Sequence, residues 1–241
     1  MSLIFKILYG FYAVPMFICV ALLALLVMIV LPRLSQRRRV ARAASRTFLC
    51  LAGMPLTVEG LERLPEGPCI VVANHASYID GLVFTAALPP RFGFVIKREM
   101  ATVPLAGFLL RRIGSHFMAR DKAGQTTMDA RRVMRSAESG DSLVFFPEGT
   151  FSENPGLLKF HHGAFATAQR AGCPVVPAII QGSRVALSPR GGLPQPVRLR
   201  IEILDPLIPT ALVGGESVAA LCRQARNAIL GKLQEPDREA A

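Results

Sequence analysis

From Phe11 to Leu31 the chain carries no charged residue. As a helix this run spans about 30 Å, the thickness of a bilayer's hydrocarbon core, so it must find lipid or a long apolar groove. Only Lys6 precedes it, whereas Arg33, Arg37, Arg38, Arg39, Arg42 and Arg46 follow. Positive charge is retained on the cytoplasmic side, so the asymmetry predicts a membrane anchor over residues 1–34 and a cytoplasmic remainder. A cleaved leader fits less well: the run is long for one, and no small-x-small cleavage site follows. Pro15 leaves a third arrangement, a helical hairpin that dips into one leaflet without crossing.

The next stretch, Val40 to Met54, has helical spacing, with Val40, Ala44, Phe48 and Leu51 on one face and Arg42 and Arg46 off it. Residues 35–55 therefore read as a basic interfacial helix in the headgroup plane, its arginines meeting anionic phosphates. An ordinary helix packed on a neighbouring domain has the same periodicity.

Charge and composition narrow the partners. Against 17 acidic residues stand 28 Lys and Arg, a net +11, which favours an anionic surface or ligand. The chain is 51% hydrophobic, and much of that excess lies in the anchor. Cys19, Cys50, Cys69, Cys173 and Cys222 are scattered, with no C-x-x-C pair, so they read as reduced thiols and not as a disulfide frame or zinc site.

From Leu56 onward, short apolar runs alternate with helical patterns. Strands are expected at Leu56–Val58, Cys69–Ala73, Phe92–Ile96, Leu143–Phe146, Val175–Ile179 and Val197–Leu204. Helices are expected at Ser77–Leu88, Pro104–Ile113, Thr126–Ser139, Ala164–Ala171 and Ser217–Leu233. This alternation predicts an α/β fold over residues 56–234, a largely parallel sheet flanked by helices, behind the N-terminal membrane-anchoring helix. The polar stretch 235–241 reads as a frayed tail.

Two segments carry residues suited to chemistry. The first is Asn74-His75-Ala76-Ser77-Tyr78-Ile79-Asp80, directly after an expected strand. Ligands in α/β sheets bind beyond the carboxyl ends of strands, so His75 stands in the right place. Asp80, one turn into the next helix, can bond one ring nitrogen and leave the other free to take a proton. The same residues also spell a capping box, Ser77-x-x-Asp80, in which the carboxylate only satisfies backbone N–H groups. The second segment is Phe146-Pro147-Glu148-Gly149-Thr150, at the same sheet edge. There Gly149 permits close backbone approach, and Glu148 is suited to hold a hydroxyl. Without His75 nearby, the segment reads as a turn with a solvated acid. Between them, Lys97 and Arg120 are cations suited to phosphate, and Phe117 lies close to Arg120.

Other chemistries find no motif. There is no G-x-S-x-G, H-E-x-x-H, Walker loop or G-x-G-x-x-G. His161 and His162 are adjacent, which suits shared metal ligation poorly, and no metal or cofactor is expected.

Taken together, these motifs resemble the 1-acylglycerol-3-phosphate acyltransferase (lysophosphatidic acid acyltransferase) family over roughly Leu56 to Ile208. His75 and Asp80 match its NHxxxxD motif, Phe117 and Arg120 its second motif, residues 146–150 its FPEGT block, and Val176-Pro177 its apolar-proline motif. The resemblance implies a base in His75 and an orienting carboxylate in Asp80. It implies acceptor contacts from Arg120, Glu148, Gly149 and Thr150, and a substrate-lining role for Pro177. It further implies a lysolipid acceptor and an acyl thioester donor, acyl-CoA or acyl-carrier protein. One departure stands out. The family usually follows FPEGT with a phosphate-binding arginine, and here the residue is Phe151. Lysophosphatidic acid held by Lys97 and Arg120, or another lysolipid such as a lyso-aminolipid, are both compatible with that change.

Two other classes share the basic charge. A non-catalytic adaptor on an anionic membrane would make His75 dispensable. A nucleic-acid binder would need a recognisable module, and none is present among only 7% aromatic residues.

Overall fold

The computed structural model describes residues 3–119, 123–209 and 215–239. Helix α1, Leu3–Val30, continues unbroken through Pro15, so the apolar run contains no internal hairpin. Pro32 and Arg33 separate it from α2, Leu34–Leu51. The sheet comprises β1 (Leu56–Glu59), β2 (Ile70–Ala73), β3 (Phe92–Lys97), β4 (His116–Met118), β5 (Ser142–Phe145), β6 (Val175–Gln181) and β7 (Leu199–Ile203). Its spatial order is β1-β7-β6-β2-β5-β3-β4, and among the described strands β6 and β7 are the one antiparallel pair.

Burial on both sides explains the strand sequences. On β2, Val71 and Ala73 face a core shared with Phe48 and Leu49 of α2 and with Val83 and Phe84 of α3, Asp80–Ala87. Ile70 and Val72 point the opposite way, toward α5 (Ala123–Glu138), α6 (Gly163–Ala171) and, after the single turn α7 (Ser183–Ala186), α8 (Gly215–Leu233). Because successive side chains alternate between faces, a strand buried on both reads as continuous Ile-Val-Val-Ala and not as alternating polarity.

The expected α/β architecture is present, with differences in its details. Strand β4 was not expected, because its three residues are too few to show a period. The second helix begins at Leu34 and not Val40, and the helix after β2 begins at Asp80 and not Ser77. The expected frayed tail is fastened over residues 235–239: Leu157 N–H donates to Pro236 O (3.0 Å) and Arg238 N–H to Leu157 O (3.0 Å).

Helix α2 packs on the domain, and its arginines are largely occupied there. Arg38 is 8% exposed and donates to Ile113 O (3.0 Å) and Arg91 O (2.7 Å). Arg37 donates to Leu31 O and Pro32 O, and Arg42 to Ala87 O. Arg39 and Arg46 remain exposed, as does Leu51, which was expected on the packed face.

Helix α1 is tied to the domain at both ends. Tyr9 and Tyr12 donate to Ala52 O (2.6 Å) and Leu51 O (3.0 Å). Near its C-terminus, Arg112, the last residue of α4 (Ala106–Arg112), donates to Met28 O and to Ile29 O. Between these points Phe17 meets Phe48 edge-on at 5.2 Å. The opposite face, including Leu8, Phe11, Leu22, Leu23 and Leu26, is exposed and wholly apolar, the mark of a membrane-anchoring helix.

Candidate active site

The parallel strands deliver their carboxyl ends to one sheet edge. Beyond β2, Asn74 is buried and bonds its amide to Ile180 O (3.0 Å) and Ile180 N (2.8 Å), fastening the chain to β6 just before His75. His75 Nδ1 lies 2.7 Å from Asp80 Oδ2. A carboxylate only accepts, so Nδ1 carries the hydrogen and Nε2 is left as a base facing the cavity that His75 lines. Asp80 is fully buried, and the same Oδ2 also accepts from Ala76 N (2.7 Å) and Ser77 N (2.9 Å). One carboxylate thus orients the imidazole and fastens the turn ahead of α3. The expected Ser77–Asp80 capping box does not form, because the helix starts at Asp80 with Ile79 before it and Ser77 Oγ donates to Leu187 O (2.7 Å).

Aromatic rings hold the imidazole from two sides. Phe146 stacks on it at 4.3 Å, with 19° between the planes, and Phe151 meets it edge-on at 4.5 Å. Tyr78 meets Phe151 at 4.7 Å. The apolar walls leave the ring few orientations other than the one that Asp80 selects.

Glu148 is turned inward. It is 4% exposed, and its oxygens accept from His75 N (2.6 Å) and Leu158 N (2.9 Å). This corrects the expected contact with substrate, since both oxygens are engaged in fixing the His75 loop. Burial pushes the carboxyl up to about 7, against the opposing pull of those two N–H donors and of Arg184. A folded value raised above the usual 4.5 means that stability present below 4.5 is lost as pH rises through about 7. Glu148→Gln is expected to flatten the fall of melting temperature across that interval. A wild-type slope in the variant would show that Glu148 is not the titrating group.

A cavity of about 540 Å³ opens on His75. Its walls include Phe17, Ala21, Ala24 and Met28 of α1, Ala44 and Phe48 of α2, and Leu109 and Leu110 of α4. Lys97, Gly149, Thr150 and Phe151 also line it, the last in ring contact with His75. Gly149 adopts φ +73°, which favours glycine. A mostly apolar pocket with polar groups at one end suits a ligand that is a hydrocarbon chain with a reactive head.

The other expected residues lie apart. Pro177 is buried within β6 opposite Val72, so it shapes the sheet and does not line the cavity. Phe117 sits on β4, three strands from β2 or about 14 Å at ordinary strand spacing, under the Arg111 guanidinium. Arg120 lies outside the described residues. Lys97 is half exposed, 3.9 Å from Glu99. Asn74, Tyr78 and the helical cavity walls were not expected as site residues, whereas Phe151, marked in the sequence as a departure beside the acceptor site, does line the cavity. The adjacency of Asn74 and Tyr78 to His75 was the only local signal for these two.

The acyltransferase family model matches residues 55–181. The chloroplastic 1-acyl-sn-glycerol-3-phosphate acyltransferase BAT2 of Brassica napus is 32% identical over 177 residues, covering 71% of this chain. The chain spans 49% of that relative's length. The lyso-ornithine lipid O-acyltransferase of Pseudomonas aeruginosa is 32% identical over 197 residues, 75% of this chain and 73% of that one. Among solved structures, the 1-acyl-sn-glycerophosphate (LPA) acyltransferase PlsC of Thermotoga maritima shares the fold, with a TM-score of 0.75, 21% identity and 98% of both chains covered.

Proposed function

The chain belongs to the acyltransferase family, and from that premise we propose that it moves an acyl chain from acyl-CoA or acyl-carrier protein to the free hydroxyl of 1-acylglycerol-3-phosphate, forming phosphatidic acid. One observation carries this reading. The apolar cavity ends on a histidine whose Nδ1 is held by a buried aspartate at 2.7 Å.

In the proposed reaction, Nε2 of His75 takes the proton of the acceptor hydroxyl, and the resulting oxygen nucleophile attacks the thioester carbonyl. The tetrahedral intermediate collapses, the carbon–sulfur bond breaks, and the departing thiolate receives the proton from the imidazolium. Asp80 stabilises that imidazolium and keeps its ring in place. Glu148 fixes the loop. Lys97 and Arg120 hold the acceptor phosphate, while Gly149 and Thr150 line its path. The step needs no cofactor or metal beyond its two substrates.

The anchoring of α1 supports a particular placement. A helix bonded at both ends to one domain lies along that domain, so α1 enters the outer part of one leaflet, in the membrane plane. Its cavity-lining face then connects lipid directly with His75, and the exposed Arg39 and Arg46 meet anionic headgroups. The arginines after α1 favour the cytoplasmic leaflet, where acyl thioesters are made.

Phe151 favours a second reading, an acceptor without a phosphomonoester, and the lyso-ornithine lipid relative agrees with it. The test is transfer from a radiolabelled acyl thioester to lysophosphatidic acid and to lyso-ornithine lipid, with wild type and Phe151→Arg. A bidentate arginine–phosphate contact contributes about 1.5–3 kcal/mol per charged bond. If lysophosphatidic acid is the natural acceptor, Phe151→Arg is expected to tighten it. Transfer by wild type to lyso-ornithine lipid alone would instead establish the second acceptor, and transfer to neither would overturn the proposal.

A further inference from the structure

Arg226 of α8 is 4% exposed, far in sequence from His75, and without a role in the chemistry above. Its guanidinium donates to Leu157 O (3.0 Å) and Leu158 O (3.3 Å). The remaining donors go to Asp237, one of them at 3.0 Å, and Glu239 lies 3.3 Å away. The C-terminal residues thereby form a strap across the segment that follows Thr150. Asp237 bridges Leu157 in parallel, and Glu235 accepts from Gly156 N (2.7 Å) and Arg184 (3.2 Å). Gly156, at φ +139°, has no room for a Cβ, which would come within 3.0 Å of Pro236 O.

This arrangement leads to the catalytic loop without a gap. Leu158 presents its carbonyl to Arg226 and its N–H to Glu148, and the other oxygen of Glu148 accepts the N–H of His75. We propose that Arg226, held by the strap of residues 235–239, is a positioning residue that acts through Leu158 and Glu148 to set the backbone of His75. The inference rests on the acyl-transfer reading given above. Asp237 and Glu239 are 46% and 56% exposed while the Arg226 side chain is 5% exposed, so these carboxylates hold a buried guanidinium from the solvent side. Their value lies in fixing two carbonyls at the rear of a site where displacements of an ångström are felt in rate.

The experiment uses the full chain in membranes, with Asp237→Asn and Glu239→Gln combined. We expect kcat per folded molecule to fall about tenfold with KM for both substrates changed less than about twofold, alongside a modest fall in melting temperature, since the amide oxygens of Asn and Gln still accept from the guanidinium. Placed on Glu148→Gln, which already breaks the link, the same pair is expected to cost little more. Glu235→Gln asks the same question from the Gly156 side should the pair fail to accumulate. Wild-type kcat in the strap variants, or an equal loss in both backgrounds, would overturn the inference. Full transfer by His75→Ala would instead overturn the reading on which it rests.

Discussion

Replacing His75 by alanine is expected to lower acyl transfer by about 10²–10⁴-fold, the usual contribution of a general base. The fold is expected to survive. His75 lies on a loop, and Asp80 retains its bonds from Ala76 N and Ser77 N when the imidazole is removed. The gap between Phe146 and Phe151 lies at the edge of an existing cavity, so no sealed void is created. The measurement is product formed per molecule of folded protein in membranes, with melting temperature followed in parallel. Transfer within tenfold of wild type would assign the proton to another group, and the match to the NHxxxxD motif would then carry no catalytic meaning here.

Asp80→Asn is expected to be comparably damaging, up to about 10⁴-fold in kcat, as in other histidine–carboxylate pairs. Asparagine separates the two roles that this carboxylate combines. Its amide oxygen can occupy the place of Oδ2 and keep the backbone cap. Its NH₂ would then fall where Oδ1 now has no partner. The charge that stabilises the imidazolium is lost, and an unpaired buried donor costs about 1–3 kcal/mol of stability. A large loss of rate with a modest fall in melting temperature is therefore the expected pattern. Stability lost without a matching loss of kcat per folded molecule would mean that Asp80 serves only as a cap.

How far these features were legible in the residues depends on the distance over which each is specified. His75 and Asp80 are five residues apart, so one strand-to-helix turn defines their pairing, although the spacing by itself fitted a capping box equally well and only the structure shows the ring contact. The strands buried on both faces were visible as apolar runs for the same local reason. The direction of β7 was not, because pairing antiparallel to β6 depends on the route of the intervening chain. Pro177 matched a motif, yet its role as a strand residue follows from Val72 beside it on β2 and from Leu204, whose N–H donates to its carbonyl. The cavity walls were hidden in another way. Helix α1 is apolar on every side, so no polar face marks which residues look inward to the domain. The arginines of α2 read as a lipid-facing set because their acceptors are carbonyls at Arg91, Ile113 and Ala87, residues that no local pattern associates with them.

The pairing of β1 with β7 has a consequence for how the molecule is made. Leu56 through Glu59 align with Leu199 through Glu202, so the first strand to leave the ribosome waits for the last. During synthesis, at about 5–20 residues per second, β1 has no lasting partner while the intervening strands emerge. A contact of such long sequence separation also makes the search slow, since the loop must close before the pairing rewards it. Helix α1 precedes every strand of this sheet in the chain, so on the placement proposed above it holds the chain at the bilayer surface while the sheet assembles. Detaching that helix is expected to expose an unpaired strand edge to other chains, so that aggregation during folding, rather than instability of the finished sheet, limits yield.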